Sequence, residues 1–219
     1  MRVRQHYDEE LQALHQQLNE FGDFALAAVN RALEALRRQD LDLARTVVAG
    51  DVRANKAQHR LDAHAVTLIA TQQPVARDLR KIMAAIAVGS ELERIADYAK
   101  GIARFVSGTD GAPPLEPPAA LLALATAATE VLTHAIAALR TLDAEAARAI
   151  NGEEDQVDRL YEQALASIAE VLATHPGGAG RAADLLFIAH DCERIADRST
   201  NIAERIIYYV SGETVELNP

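Results

Sequence analysis

The sequence predicts an all-α protein built as two tandem, pseudo-equivalent three-helix bundles, six long antiparallel helices in all. Apolar residues recur at alternating intervals of three and four along six stretches, the spacing of a helix with one buried seam. Composition agrees: 49% of the chain is hydrophobic, yet only 4% is aromatic and there is no Trp, which suits close-packed Ala/Leu helices better than sheets. The pentapeptide Glu93-Arg94-Ile95-Ala96-Asp97 also returns as Glu193-Arg194-Ile195-Ala196-Asp197, and over 93–103 against 193–203 seven of eleven positions are identical. This is an internal repeat.

Helix one is read from His6 to Arg38 on the seam Leu11, Leu14, Leu18, Phe21, Ala25, Ala28 and Ala32. A Gln39-Asp40 turn follows, with Asp40 or Asp42 as the cap of helix two. The seam of helix two reads Val47, Asp51, Ala54, Gln58, Leu61, Ala65 and Leu68, and Gln72-Gln73-Pro74 stops it after about Thr71. Helix three spans about Val75 to Val106, with Leu79, Ile82, Ile86, Gly89, Glu93 and Ala96 on one row. Gly and Pro crowd residues 108–118, which divides a first repeat at 1–107 from a second at 119–219. Helix four carries Leu121, Leu124, Ala128, Val131, Ala135, Ala138 and Leu142. Helix five places Ile150, Glu154, Val157, Tyr161, Ala164, Ile168 and Val171 on one face. His175-Pro176-Gly177-Gly178 breaks the chain before helix six, from about Arg181 to Val210.

The acids on these seams are the candidate site. Residues four apart on a helix share a face, so Glu93 pairs with Asp97 and Glu193 with Asp197. Asp51 and Glu154 interrupt the seams of the preceding helices at corresponding places, followed one turn later by Asn55 and Asp158. If neighbouring helices pack, each half gathers several oxygen-bearing side chains. Crowded carboxylates that lose water must take up protons, find Arg or Lys partners, or bind a cation. The metal ligands expected on this reading are Asp51, Glu93, Asp97, Glu154, Asp158, Glu193 and Asp197. A lone Glu-x-x-x-Asp is usually a solvated face, and Arg94, Lys100 or Arg194 are alternative counterions. Duplication favours a shared purpose.

Other signals exclude function classes. With 32 acids against 22 bases and a formal charge of −10, sequence-independent binding to nucleic acid or anionic lipid is not expected. No run of 18 apolar residues and no leader-like N-terminus is visible, so a cytoplasmic protein is expected. Cys192 reads as packing, and the histidines show no HExxH or paired-ligand spacing. Of these, only His190 adjoins the motif. Glu91 and Asp191 turn away from the motif acids, toward solvent or the rim of a site. No phosphate loop, dinucleotide fingerprint or nucleophile motif occurs. Ile95, Ile102, Ile202, Ile206 and Ile207 lie off the main seams and mark either a dimer or partner face or a wider core stripe.

At the two motifs, Leu92-Glu93-Arg94-Ile95-Ala96-Asp97 and Cys192-Glu193-Arg194-Ile195-Ala196-Asp197-Arg198-Ser199-Thr200-Asn201-Ile202-Ala203, the chain resembles the PhoU family of phosphate-signalling regulators. The resemblance implies a cytoplasmic negative regulator of phosphate uptake and of the phosphate-starvation response. It would act with the ATPase subunit of the phosphate ABC transporter and with a sensor histidine kinase, reaching the membrane only through such partners; a homodimer is expected from the off-seam isoleucines. It also implies metal at the acid motifs, with iron, zinc, manganese and magnesium all open. Oxygen-only donors favour magnesium or manganese. Gly101 stands where the second copy has Asn201, and Asn55 where it has Asp158, so the first site is the poorer in anionic ligands. The competing readings are a metal-dependent helical-bundle enzyme, which the missing Glu-x-x-His disfavours, and a structural bundle without metal.

Overall fold

The computed structural model describes residues 2–108, 116–174 and 179–217, and these are all helix and connection. They form α1 (Arg2–Arg38), α2 (Leu41–Gln72), α3 (Arg77–Ser107), α4 (Ala119–Thr141), α5 (Ala144–Ala149), a 3-10 turn (Ile150–Gly152), α6 (Glu154–Thr174) and α7 (Ala179–Ser211). The linker expected over 108–118 and the break at 175–178 fall largely or wholly outside the described residues.

The two halves begin alike because the same turn chemistry is used twice. Gln39 takes a left-handed φ of 53°, and Asp40 then caps α2, its Oδ1 accepting the N–H groups of Asp42 at 3.1 Å and Leu43 at 2.9 Å. In the second half Leu142 takes a φ of 52°, and Asp143 caps α5 by accepting from Glu145 and Ala146 at 2.9 and 3.0 Å. A short polar side chain here satisfies N–H groups that a new helix leaves unpaired. α2 ends on Gln73 in the left-handed region, whose N–H reaches back to Ile69, and Pro74 prevents continuation.

α3 and α7 are the central rods. α3 packs on α1, α2 and α7, while α7 packs on α3, α4, α5 and α6, so one hydrophobic core runs through both halves. A helix contacted from three sides must be apolar on most of its circumference. That is why the two central helices differ from the single-seam expectation. On α3 the buried row is Ile82, Ala85, Val88, Leu92, Ile95, Ala99, Ile102 and Val106, whereas Leu79 is exposed and Ile86 half-buried. Ile95, Ile102, Ile202, Ile206 and Ile207 are all at most 1% exposed. They belong to the wide core stripe, and the dimer-face reading of these five residues is overturned.

The expected fifth helix is not one rod. It breaks at the 3-10 turn Ile150–Gly152, so that Glu154 opens α6 and does not sit in mid-helix as Asp51 does in α2. Asn151 and Gly152, both weak helix formers, account for the break. α4 is long and apolar enough to cross a membrane. Its apolar face, from Leu121 through Leu139, is buried against the core, and the opposite face carries exposed Thr126, Glu130, Thr133 and Arg140.

Candidate functional site

In the first half, packing of α2 on α3 brings Asp51 beside the Glu93–Asp97 turn, as the seams predicted. The cation between them comes from the next turn of α3: Lys100 Nζ donates to Asp51 Oδ2 at 2.6 Å and to Asp97 Oδ1 at 3.2 Å. Lys100 and Asp51 are 20% and 13% exposed, dry enough for the pair to matter more than a surface bridge. The hydrogen bond to Asp51 is the main reason that the Lys100 ammonium holds its proton more tightly than usual. Asn55 adds a long, 3.4 Å bond to Asp51 Oδ2. Glu93 is pushed above the ordinary carboxyl range, first by burial and then by the charge of Asp97 one turn away.

The second half gathers Glu154 from α6 with Glu193 and Asp197 from α7. Its cation is Arg194, which forks between the two motif acids, reaching Glu193 Oε1 at 2.5 Å and Asp197 Oδ2 at 2.6 Å. Glu154 is 8% exposed, one of three polar or charged residues buried among those described. Burial, followed by the charge of Asp197 and a hydrogen bond to it, raises the Glu154 carboxyl to about 7. Asp158 and Glu193 act in the same direction. Glu154 thus holds a proton near neutrality and shares it with Asp197, whose own carboxyl is raised mainly by burial. Asp158 is exposed at the edge of the group.

The seven residues therefore fall in two corresponding groups, with Asp97 and Asp158 exposed at their edges. Their donor chemistry, oxygen only, suits a hard cation. Their present geometry is that of internally neutralised acids: among the described residues no three His, Cys, Asp or Glu side chains stand close enough to hold a metal ion. Lys100 and Arg194 fill the cation role in the first and second half. His190 is exposed and only approaches Asp191, at 3.7 Å. It is not part of either cluster.

Two features were not foreseen. Glu91 and Asp191, expected toward solvent or a rim, sit at the contact of the halves, their side chains 17% and 15% exposed. Glu91 Oε2 accepts from Arg198 across that contact at 3.3 Å, and Arg198 also bonds Tyr98. A Cβ at Gly101 would lie 2.5 Å from Asp191 Oδ2, so the glycine that departs from the repeat makes room for the other half's acid. Burial raises that acid to about 6. The glycine was visible in the sequence as an asymmetry; its cause was not.

The PhoU domain profile matches twice, over residues 18–106 and 121–206. The chain is 32% identical over 207 residues to the phosphate-specific transport system accessory protein PhoU homolog of Rhizobium meliloti (strain 1021), covering 94% of this chain and 87% of that one. It is 33% identical to the phosphate-specific transport system accessory protein PhoU of Edwardsiella tarda, covering 94% and 85%. Among solved structures, PhoU from Pseudomonas aeruginosa superposes with a TM-score of 0.88 at 29% identity, covering 94% of this chain and all of that one. The phosphate transport system regulatory protein PhoU from Streptococcus pneumoniae gives 0.86 at 27% identity, covering 96% and 99%. With the duplicated domain, the paired acid motifs and the fold in agreement, this chain belongs to the PhoU family.

Proposed function

We propose that this protein is a non-enzymatic, cytoplasmic regulator of phosphate transport. It restrains phosphate uptake and the phosphate-starvation response by linking the ATPase subunit of a phosphate ABC transporter to a sensor histidine kinase. The observation that carries this reading is the pair of corresponding acid clusters, set in a chain similar along nearly its whole length to accessory proteins of the phosphate-specific transport system. Neither cluster is arranged with a nucleophile and a base, which is what turnover would need.

The same reading gives the clusters a ligand. A divalent cation replaces the internal ones, held by Asp51, Glu93 and Asp97 in the first half and by Glu154, Asp158, Glu193 and Asp197 in the second. Magnesium or manganese is the better match for oxygen donors, with iron and zinc as the alternatives. Once bound, the ion supplies fixed positive charge where Lys100 or Arg194 now stands.

The test is made in a strain lacking the gene and carrying a phosphate-starvation reporter. Wild-type protein restores repression in high phosphate, whereas Glu193→Ala combined with Asp197→Ala, still fully helical by circular dichroism, does not. If deletion of the gene leaves the reporter unchanged at every phosphate concentration, the regulatory reading fails. If the double variant represses as wild type does, the acid clusters have no part in it.

A further inference from the structure

The outer face of the first half carries charge that the acid clusters do not use. α1 and α2 enclose a groove of about 720 Å³ with Phe21 and Phe24 on its α1 side and Arg53, Lys56 and Arg60 along its α2 side. Several basic side chains elsewhere are matched, Arg140 with Asp23, Arg148 with Glu213, Arg194 with Glu193 and Arg198 with Glu91. Those in the groove are not. Arg53 lies over the Phe24 ring, 5.1 Å from its centre, and Arg60 Nε donates to the Lys56 carbonyl at 3.3 Å. Among the described residues none of these three cations meets a carboxylate within ion-pair distance, although Glu20 lines the same groove.

The pattern continues beyond the groove. Val52, Lys56, His59, Ala63, Val66 and Ala70 are all exposed and step along α2 by alternating fours and threes, the spacing of a seam that receives another helix. Val52 and Val66, the two large apolar residues of this row, are 58% and 61% exposed. From Val52 to Val66 is about 21 Å at 1.5 Å per residue, four turns of a helix.

We propose that this face docks an acidic amphipathic helix of a partner protein. Its apolar residues lie against Phe24, Val52 and Val66, and its carboxylates against Arg53, Lys56 and Arg60. Charge selects this occupant. A second copy paired about a two-fold axis through these three cations would set them against their own copies, which disfavours that self-pairing. In a chain of net charge −10, the three cations of this groove give an acidic partner a local attraction that the chain as a whole does not. The proposal deepens the regulatory reading by naming the class of partner. It rests on that reading only for the partner's identity, so it is tested on the purified protein without phosphate signalling.

The probe is a fluorescent synthetic helix of about 18 residues, roughly 27 Å long, with Leu at the seam positions and Glu beside them. A second probe has Gln for every Glu. At low salt the Glu probe binds at least about tenfold more tightly than the Gln probe, and the difference shrinks as salt shortens the screening length. Arg53→Glu with Arg60→Glu, both surface changes, removes that preference while the far-ultraviolet circular dichroism is unchanged; Val66→Asp weakens both probes. Equal affinity for the two probes, or a double variant that still prefers Glu, overturns the proposal. So does displacement of the Glu probe by inorganic phosphate at constant ionic strength, which would assign the cations to a small anion. Self-association of the wild type that the double variant loses, read by sedimentation velocity, would assign the face to a second copy and overturn it equally.

Discussion

Glu154→Gln isolates the most perturbed carboxyl of the site. In the folded chain Glu154 is raised from 4.5 to about 7 by burial and by Asp197, Asp158 and Glu193. A tenfold change in proton affinity is about 1.4 kcal/mol, so the displacement corresponds to roughly 3 kcal/mol. The sign follows from which state holds the proton. Below pH 4.5 both states hold it. Between 4.5 and about 7 the unfolded chain has released it while the folded chain keeps it, so stability falls as pH rises through this window and levels off above it. Gln cannot titrate, and its amide N–H can donate to Asp197 in place of the acid proton. Urea unfolding from pH 5 to 8, with a chelator present to exclude metal, gives the stability of each protein. Wild type is expected to lose about 2.5 kcal/mol more than Glu154→Gln across that range, and the variant becomes the more stable of the two at pH 8. Asp191, Asp197 and Glu93 are also raised but remain in both proteins, so most of their contribution cancels. Parallel curves, agreeing within about 0.5 kcal/mol, would refute the reasoning, because an acid that ionises freely in the fold cannot be the one that the packing of α6 on α7 has dried.

Lys100→Met strips the cation from Asp51 and Asp97 and costs about 1–3 kcal/mol at pH 7, which denaturant unfolding checks. Gly89→Ala lowers the melting temperature, because its methyl would overlap buried Leu61 Cδ2 at a cost of about 1–3 kcal/mol that outweighs the helix-propensity gain. Gly50→Ala, on the same fold but with nothing within 4 Å of the new methyl, instead adds roughly 0.5–1 kcal/mol by thermal unfolding. For manganese titrated by calorimetry, Glu193→Ala with Asp197→Ala loses more affinity than Glu93→Ala with Asp97→Ala, since the second half carries Asp158 where the first has Asn55; equal losses would count against the asymmetry of the sites.

Much of this was legible because it is periodic. The intrusion of Asp51 and Glu154 into otherwise apolar seams located both acid clusters, since a seam is a statement about which side chains face a neighbour. Helix ends were legible where one residue sets them, as Asp40 and Pro74 do. What the sequence left open depends on which neighbours a rod has. Ile95 and Ile206 read as surplus apolar residues until α3 and α7 are seen to be enclosed by other helices. The break at Asn151-Gly152 is a balance of weak propensities that tertiary packing decides. Glu91 and Asp191 were assigned to solvent or a rim because the other half, which covers them, is invisible to a pattern read along one helix.

The repeat preserves the acids but not the group that neutralises them. Lys100 reaches Asp51 and Asp97 from one turn further along α3, and its counterpart in the second copy is Thr200, buried and bonded to the Ala196 carbonyl. There the task falls to Arg194, next to Glu193 and 35% exposed, whereas its counterpart Arg94 is exposed in the first half. One half is closed by a lysine that bridges two helices; the other by an arginine that forks along a single helix, with a shared proton on Glu154 making up part of the remaining charge. A bridging lysine ties α2 to α3 and leaves only at the cost of that tie. A forked arginine can leave without breaking a link between helices; the link in that cluster is the hydrogen bond between Glu154 of α6 and Asp197 of α7. The arrangement therefore makes the first cluster mainly a structural clasp, and the proposed binding of an external cation is argued best for the second.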